Sequence, residues 1–475
     1  MLSDMMPFRL AGNIYYIGCY AESSHLIDTG DGLILIDTGS ENKVEALLES
    51  IRILGFHPED IKLILHSHGH YDHSGASGKL AELTGAKTYV HEKDIRYLGG
   101  KFHPDFGYRD GDVIQLGNTE ILCLETPGHT EGTVSFFFWT EENGKRYRAG
   151  MFGGAGVKQV KIDFLKKGGL SYFQRAKYLE STERLKEERV DIFLGNHSWN
   201  NNTRGKYEES LVSEGNPFID STAWVSFLNR CQQQLRDMME EESRAGFINF
   251  AHRGASEYAP ENTMMAFSLG MYMGANGIET DVQMTKDGVP VLFHDDSLER
   301  VTGQPGAICD YTYEQLRQFD VIKGGLSDKI LKLEDFLIHF GFRDISFAIE
   351  LKTPDAAEAT AELIRKYDLR TKATVTSFCY DALLKIRSCA PELKTGLLTS
   401  VVTEDLLTRL REDGIDELCP RGILVTPENV IRWHEMGFHV RAWGIKDEAI
   451  MKQVYDAGVN GMTVNFPDKL EEYRS

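Results

Sequence analysis

The chain has 475 residues, too many for one ordinary core, so two or three domains are expected. Its 41% hydrophobic and 26% charged residues match a globular protein and exclude a disordered or fibrous one. A formal net charge of −20 argues against a nucleic-acid surface and against adsorption to anionic membranes, while leaving room for a local basic pocket. The seven cysteines, Cys19, Cys123, Cys231, Cys309, Cys379, Cys389 and Cys419, are scattered and form no CxxC. That pattern predicts neither a disulfide framework nor a thiolate metal site, and it suits a reducing cytoplasm. No basic segment followed by an apolar stretch opens the chain, and no apolar run is long enough for a membrane helix.

In chain order, residues 14–19 and 25–28 read as short strands. Residues 32–36 form a buried apolar run that ends in Asp37-Thr38-Gly39. Helical periodicity covers 42–54. A second apolar run, 61–65, leads into His66-Ser67-His68-Gly69-His70-Tyr71-Asp72-His73. A helix at 77–83, a strand at 88–90 and a β pair at 113–116 and 121–124 follow. Then Thr126-Pro127-Gly128-His129-Thr130 precedes a strand at 133–140. Strands alternating with helices, each ending in polar residues, indicate a layered α/β domain.

His68, His70, Asp72 and His73 lie within six residues on a loop after a strand. Imidazole and carboxylate are the donors that zinc takes where a bound water must stay reactive. One short loop cannot close two ligand shells, so further histidines must arrive from elsewhere. His129 and His197 each follow an apolar strand and can do so. A lone histidine is more often a surface or core residue, but an ordered series of this kind is not.

The series HxHxDH, GHT and a late His resembles the metallo-β-lactamase superfamily over about residues 7–242. The resemblance implies an αββα sandwich in which His68, His70 and His129 hold one zinc. Asp72, His73 and His197 would hold a second, with Asp72 also in the catalytic set, and Asp37 would support them from the end of its strand. Many of these hydrolases carry a metal-bridging Asp, but Met151-Phe152-Gly153-Gly154-Ala155-Gly156 offers no carboxylate. That departure resembles the third subclass of metallo-β-lactamases, as do Pro7-Phe8, residues 13–18, Asp110-Gly111-Asp112 and residues 216–220. A metal-activated water serves lactams, lactones, thioesters and phosphodiesters alike, so the chemistry names no substrate. Lys158, Lys161, Lys166 and Lys167 read either as a solvated loop or as a greeting for an anion.

Between residues 220 and 240, Trp224, Phe227, Leu228, Cys231, Leu235 and Met238 share one helical face. Residues 240–246 break that pattern and read as a short linker. The domains are therefore expected at 1–243 and 247–475.

The second half opens on an apolar run, 247–251, that ends in His252-Arg253-Gly254. Pro260-Glu261-Asn262-Thr263 precedes a helix. Glu279 and Asp281, two apart on a strand, point the same way. Residues 289–293 deliver His294-Asp295, and residues 347–352 end in Glu350-Leu351-Lys352. Further strands are expected at 374–378, 395–398, 422–426, 439–443 and 461–464. With those at 247, 277 and 347 they number eight, as in a TIM barrel.

The series HRG, PENT, ExD and HD resembles the glycerophosphodiester phosphodiesterase family from about residue 247 to the C-terminus. The resemblance implies a (β/α)8 barrel that releases glycerol 3-phosphate and an alcohol. It implies that His252 and His294 share acid and base work and that Arg253 and Lys352 stabilise phosphate oxygens. Glu279, Asp281 and Glu350 would hold one calcium or magnesium, as their oxygen donors suggest. Glu261 would orient this shell, and Trp443 would be either barrel packing or a substrate wall. Two departures are residues 331–334 and Trp443-Gly444, the second of which bears on the alcohol pocket. The expected protein is a two-domain, metal-dependent cytoplasmic hydrolase acting on small molecules, with no nucleic-acid partner and no integral membrane segment. Two alternatives are a first domain that only binds or docks, and a barrel that acts on lysophospholipids.

Overall fold

Short apolar strands pair into two sheets in the first half of the chain. The computed structural model describes residues 5–475, which form two compact units, Met1–Met238 and Met239–Ser475. In the first unit, Phe8–Ala11, Ile14–Tyr16, His25–Asp28, Leu33–Ile36, Ile61–Leu65 and Lys87–Tyr89 form one sheet in chain order. The second sheet runs Ile192–Leu194, Lys145–Met151, Val134–Glu142, Thr119–Glu125, Asp112–Leu116. Strand alternation explains the layers. Ile34 and Ile36 face Ile121, Phe136, Phe138 and Met151 of the other sheet. Leu33 and Leu35 face the other way, onto Leu47 and Ile51 of the helix Val44–Ile53 and Leu80 of Ser77–Thr84. On the outside of the second sheet, Trp224 and Phe227 of the helix Ala223–Ala245 meet Phe137 and Phe193 edge-on or tilted. The result is an αββα sandwich.

The second unit is a closed parallel barrel of eight strands. They are Ile248–His252, Gly277–Met284, Ser346–Leu351, Ala373–Ser377, Lys394–Thr399, Glu417–Pro420, His439–Ala442 and Gly461–Val464. Ile248–His252 pairs with both Gly277–Met284 and Gly461–Val464, which closes the ring. Pro290–Leu292 adds a short antiparallel strand beside Gly277–Met284 and ends two residues before His294. Helices cover the outside, where Phe336, Leu337, Ile364 and Ile386 pack on Ile278, Phe347, Ile349 and Val375. No helix among the described residues is long and apolar enough to cross a membrane.

Two sequence expectations are corrected. The sixth barrel strand is Glu417–Pro420, not 422–426. Gly422–Leu424 forms one turn of 3-10 helix, and Thr426 accepts a hydrogen bond from the Asn429 amide to cap Pro427–Glu435. Thr followed by Pro is a helix start, so the apolar residues there did not mean a strand. The helix at the end of the first half also continues through residues 240–245 to Ala245. Its apolar face stops, but Glu and Arg are good helix formers, and Arg244 bonds Glu240 one turn back. Among the elements with no counterpart in the sequence reading are Phe8–Ala11, Lys145–Met151, Phe173–Lys186 and Thr203–Ser210. Phe173–Lys186 buries Gln174, Arg175, Ser181 and Thr182 among its apolar residues, so no apolar stripe betrays it.

Candidate active sites

In the first unit, the strand Ile61–Leu65 carries the histidine loop to the end of its sheet. One ligand atom each of His68, His70 and His129 lies within 4.8 Å of the others. The Nδ1 of His70 and the Nε2 of His129 stand 3.2 Å apart. A second group gathers around Asp72, whose Oδ2 is 3.5 Å from His73 Nε2 and 3.9 Å from His197 Nε2. His73 and His197 have ring centroids 5.0 Å apart. The structure thus brings these six residues to one place, with His68 near Asp72 and His73 as well as near His70 and His129.

Hydrogen bonds decide which nitrogen of each ring is free. His73 Nδ1 donates to Asp37 Oδ2 at 2.8 Å, His129 Nδ1 to the Gly156 carbonyl at 2.6 Å and His197 Nδ1 to the Ala21 carbonyl at 2.6 Å. Ser67 Oγ donates to Asp37, so His68 Nδ1 donates to Ser67 Oγ. Each of these four rings keeps its Nε2 for the centre. The Nε2 atoms of His68 and His73 are buried and make no hydrogen bond. Burial, helped by neighbouring imidazoles, holds His68 well below its ordinary pKa and His129 down at about 3. Burial alone leads in bringing His70 to about 4. His73 is also pushed down by burial, but the Asp37 carboxylate outweighs this and raises it. Unprotonated nitrogens, aimed inward with no partner, are the donor set a borderline divalent metal needs. The residues therefore fit zinc.

Gly153 and Gly154 explain the missing carboxylate. A Cβ on Gly153 would run into the Val134 carbonyl, and one on Gly154 into His129 Cβ. The site opens into a cleft of about 810 Å³, walled by Trp199, which stacks on His197 at 4.5 Å. Of the four lysines noted in the sequence, Lys158 lines this cleft, whereas Lys161, Lys166 and Lys167 are exposed and do not. One residue was missed by sequence reading. Asp94, fully buried, accepts hydrogen bonds from Gly69 N, Thr130 Oγ1 and Gly132 N, and so ties the HxHxDH loop to the GHT loop.

In the barrel, the chemistry collects where strands end. Glu279, Asp281 and Glu350 bring one carboxylate oxygen each within 4.8 Å of the others, and all three are buried. Lys352 Nζ lies 2.7 Å from Glu350 and 3.0 Å from Asp281. Arg253 has a left-handed backbone (φ 55°), which turns its Nε to 3.2 Å from Asp281 and its Nη1 to 2.9 Å from Glu261. Asn262, also left-handed at φ 57°, donates to Asp281 Oδ2 at 2.9 Å. Burial and the neighbouring carboxylates push Glu279 well above its ordinary pKa, and burial with Asp281 raises Glu350 to about 7. Burial acts the same way on Asp281, but Arg253, Lys352 and His294 overcome it and keep it ionised. Three crowded, buried carboxylates fit a hard divalent cation, which would relieve their repulsion.

The two barrel histidines have different backing. His252 Nδ1 donates to the Asn465 side-chain oxygen, and its Nε2 is 3.9 Å from Glu279. Burial, then Arg253, lowers His252 to about 4. His294 Nδ1 donates to Asp295 Oδ1 at 2.7 Å, and Arg300 holds that aspartate. Glu261 bridges Arg253 and Arg300 and lies beside His294 and Asp295 rather than in the three-carboxylate group. His252, His294, Glu279 and Glu350 share a cleft of about 350 Å³ with Trp443, which meets Phe378 edge-on at 4.8 Å. Asn465 and Arg300 were missed in the sequence. Asn465 follows the eighth strand by one residue, which is the one signal that could have found it.

A family model described as the glycerophosphoryl diester phosphodiesterase family matches residues 252–469. One described as the metallo-beta-lactamase superfamily matches residues 17–139. A glycerophosphodiester phosphodiesterase of Caldanaerobacter subterraneus subsp. tengcongensis is 33% identical over 230 residues, 46% of this chain and 94% of that protein. One from Bacillus altitudinis is 30% identical over 241 residues, 47% of this chain and 97% of that protein. Among solved structures, a subclass B3 metallo-beta-lactamase of Bradyrhizobium japonicum is similar at 25% identity and a TM-score of 0.47, covering 51% of this chain and 97% of that one. A native metallo-beta-lactamase from Legionella gormanii is similar at 30% identity and a TM-score of 0.46, covering 51% and 98%.

Proposed function

The chain belongs to the glycerophosphoryl diester phosphodiesterase family through its second half and carries a metallo-β-lactamase-like hydrolase domain before it; from that premise we propose that residues 247–475 cleave glycerophosphodiesters to glycerol 3-phosphate and an alcohol, and that residues 1–243 form a separate zinc-dependent hydrolase. The observation that carries the barrel reading is the unequal backing of two histidines in one cleft. Asn465 takes the Nδ1 proton of His252 with a neutral oxygen, which leaves Nε2 with its lone pair and makes His252 the base. Asp295 accepts the Nδ1 hydrogen of His294 with a carboxylate, which turns Nε2 toward the cleft, and His294 is assigned as the acid. The glycerol hydroxyl gives its proton to His252 and attacks phosphorus. The P–O bond to the alcohol breaks, and His294 protonates the departing oxygen. Water then opens the cyclic glycerol phosphate with the two roles exchanged. Arg253 and Lys352 bear positive charge toward the phosphoryl oxygens while holding Asp281 in place. Glu279, Asp281 and Glu350 would hold a calcium or magnesium, which would neutralise phosphate charge when bound.

In the first domain, His68, His70 and His129 would hold one zinc, and Asp72, His73 and His197 the other. Bound there, zinc lowers the pKa of a coordinated water to about 7. Asp37 fixes the tautomer of His73, and Asp72 would both help hold that zinc and orient the reacting water. All seven cysteines are free, which supports placing the protein in the reducing cytoplasm.

The test is glycerol 3-phosphate release from a panel of glycerophosphodiesters, with calcium or magnesium restored after chelation. His252→Ala should cost roughly 10²–10⁴-fold, the range of a lost general base. Asp72→Ala should leave this release intact. Release undiminished in His252→Ala would end the barrel reading, and release lost in Asp72→Ala would end the separateness of the two sites.

A further inference from the structure

The carboxylates that line the barrel cleft are Glu279 and Glu350. Phe378, Leu398, Trp443, Gly444, Ile445 and Lys446 line it from the ends of other strands and add no acidic side chain. Phe378 is 49% exposed, and its ring meets Trp443 in an open corner. Trp443 is fixed there by a hydrogen bond from its indole nitrogen to the Thr399 carbonyl at 3.3 Å.

Two cations flank this corner. Lys446 lines the cleft and is exposed. Arg421 packs behind Gly444, where a Cβ would come within 3.2 Å of its Cγ and 3.8 Å of its Nε. Gly444 sits in the left-handed region (φ 70°), so a side chain there would be strained as well as crowded. Gly444 itself lines the cleft, with the half-buried Arg421 side chain behind it. Neither Arg421 nor Lys446 has an ion-pair or side-chain hydrogen-bond partner among the described residues. The nearest acid in sequence, Asp447, is committed elsewhere: it caps Glu448–Asp456 by accepting from Ile450 N at 3.0 Å.

Two unpaired cations beside an aromatic corner, in a chain whose overall charge is −20, are a local exception with a use. We propose that Arg421, Lys446 and the Phe378–Trp443 corner form a subsite for an anionic group, a phosphate ester or a carboxylate, on the alcohol that leaves. This rests on the reading of the barrel as a glycerophosphodiesterase and narrows its substrates. The aromatic corner packs the carbon skeleton of the alcohol, and the two cations take its anion. A trimethylammonium head group would find the same corner but face like charge.

The experiment compares kcat/KM for four substrates. They are glycerophosphoglycerol, glycerophosphocholine, glycerophosphoserine and bis(glycerophospho)glycerol, whose leaving groups are neutral, cationic, carboxylate-bearing and phosphate-bearing. The wild type should favour a substrate with an anionic leaving group over glycerophosphocholine by about tenfold or more, the size of one charged hydrogen bond. Lys446→Glu should reduce or reverse that ratio, chiefly through KM, and Arg421→Met should move it in the same direction. A response confined to bis(glycerophospho)glycerol assigns the subsite to phosphate, and one confined to glycerophosphoserine assigns it to carboxylate. A wild-type preference for choline, or a ratio unmoved in both variants while His252→Ala still abolishes release, overturns the subsite alone. No release from any substrate by the wild type overturns the barrel reading and the subsite with it.

Discussion

Asp37 is a buried, non-glycine residue held in the left-handed region at φ 56°. That conformation is costly for most side chains and persists when surrounding bonds hold it. Here three do: Ser67 N at 2.8 Å, Ser67 Oγ at 2.7 Å and His73 Nδ1 at 2.8 Å. The carboxylate thus sets the tautomer of His73 directly and the orientation of His68 through Ser67. Asp37→Ala should weaken the affinity of the Asp72–His73–His197 group about 10–100-fold, the usual cost of losing such a support. Metal titration of the apoprotein reads this as a loss of affinity at that group. Two unaltered sites would show that Asp37 serves folding only. The candidate ligands were legible in the sequence because His68, His70, Asp72 and His73 lie within six residues and carry their own chemistry. Asp94 was not legible. It looks like one of many aspartates, and its role comes from donors at Gly69, Thr130 and Gly132 that only the fold brings to it.

The strand Glu417–Pro420 is the element that sequence reading misplaced, and its physics explains why. Glu417 is buried inside the barrel, where strands ordinarily present Val, Ile or Leu. It is tolerated because Arg441, itself buried on the next strand, lies 3.4 Å away and His439 Nδ1 lies 3.0 Å away. Arg441 is further held by Thr463 and packs its guanidinium 5.2 Å from the Phe250 ring. A carboxylate paired in this way defeats apolar periodicity, whereas strands such as Ser346–Leu351 were legible from their β-branched and aromatic runs. Burial alone would raise the Glu417 pKa, but Arg441 and His439 overcome it and hold it at about 2, below the ordinary 4.5. A depressed carboxylate stabilises the fold above its unfolded pKa, and that stabilisation fades as pH falls from about 4.5 toward 2. Glu417→Gln leaves Arg441 buried without its counter-charge and should destabilise the barrel by about 3–5 kcal/mol at pH 7. Denaturant unfolding at pH 7 and pH 3 checks this: the gap between wild type and variant should narrow at the lower pH. A gap of equal size at both would mean that the loss is one of packing, not of charge.

Across the whole chain, two donor chemistries are kept apart in sequence and in kind. Residues 68–197 contribute five imidazoles and one carboxylate, and residues 279–350 contribute three carboxylates with two flanking cations. This division was legible early, because each set lies at strand ends with its own spacing. The course of the helix through residues 240–245 was not, since an apolar face says where a helix is buried and not where it stops. Nitrogen-rich donors select zinc, and crowded carboxylates select a hard cation that keeps its preference for oxygen. The apoprotein should therefore take up two zinc ions per chain that a large excess of calcium does not displace, and one further divalent ion that calcium or magnesium does occupy. Glu279→Gln combined with Glu350→Gln should abolish the calcium site and keep both zinc ions, as read by elemental analysis after gel filtration. His68→Ala combined with His129→Ala should do the reverse, lowering zinc and sparing calcium. If either pair of substitutions removed both metals, the two sets of donors would form one coupled centre, and the assignment of separate chemistry to each half of the chain would fail.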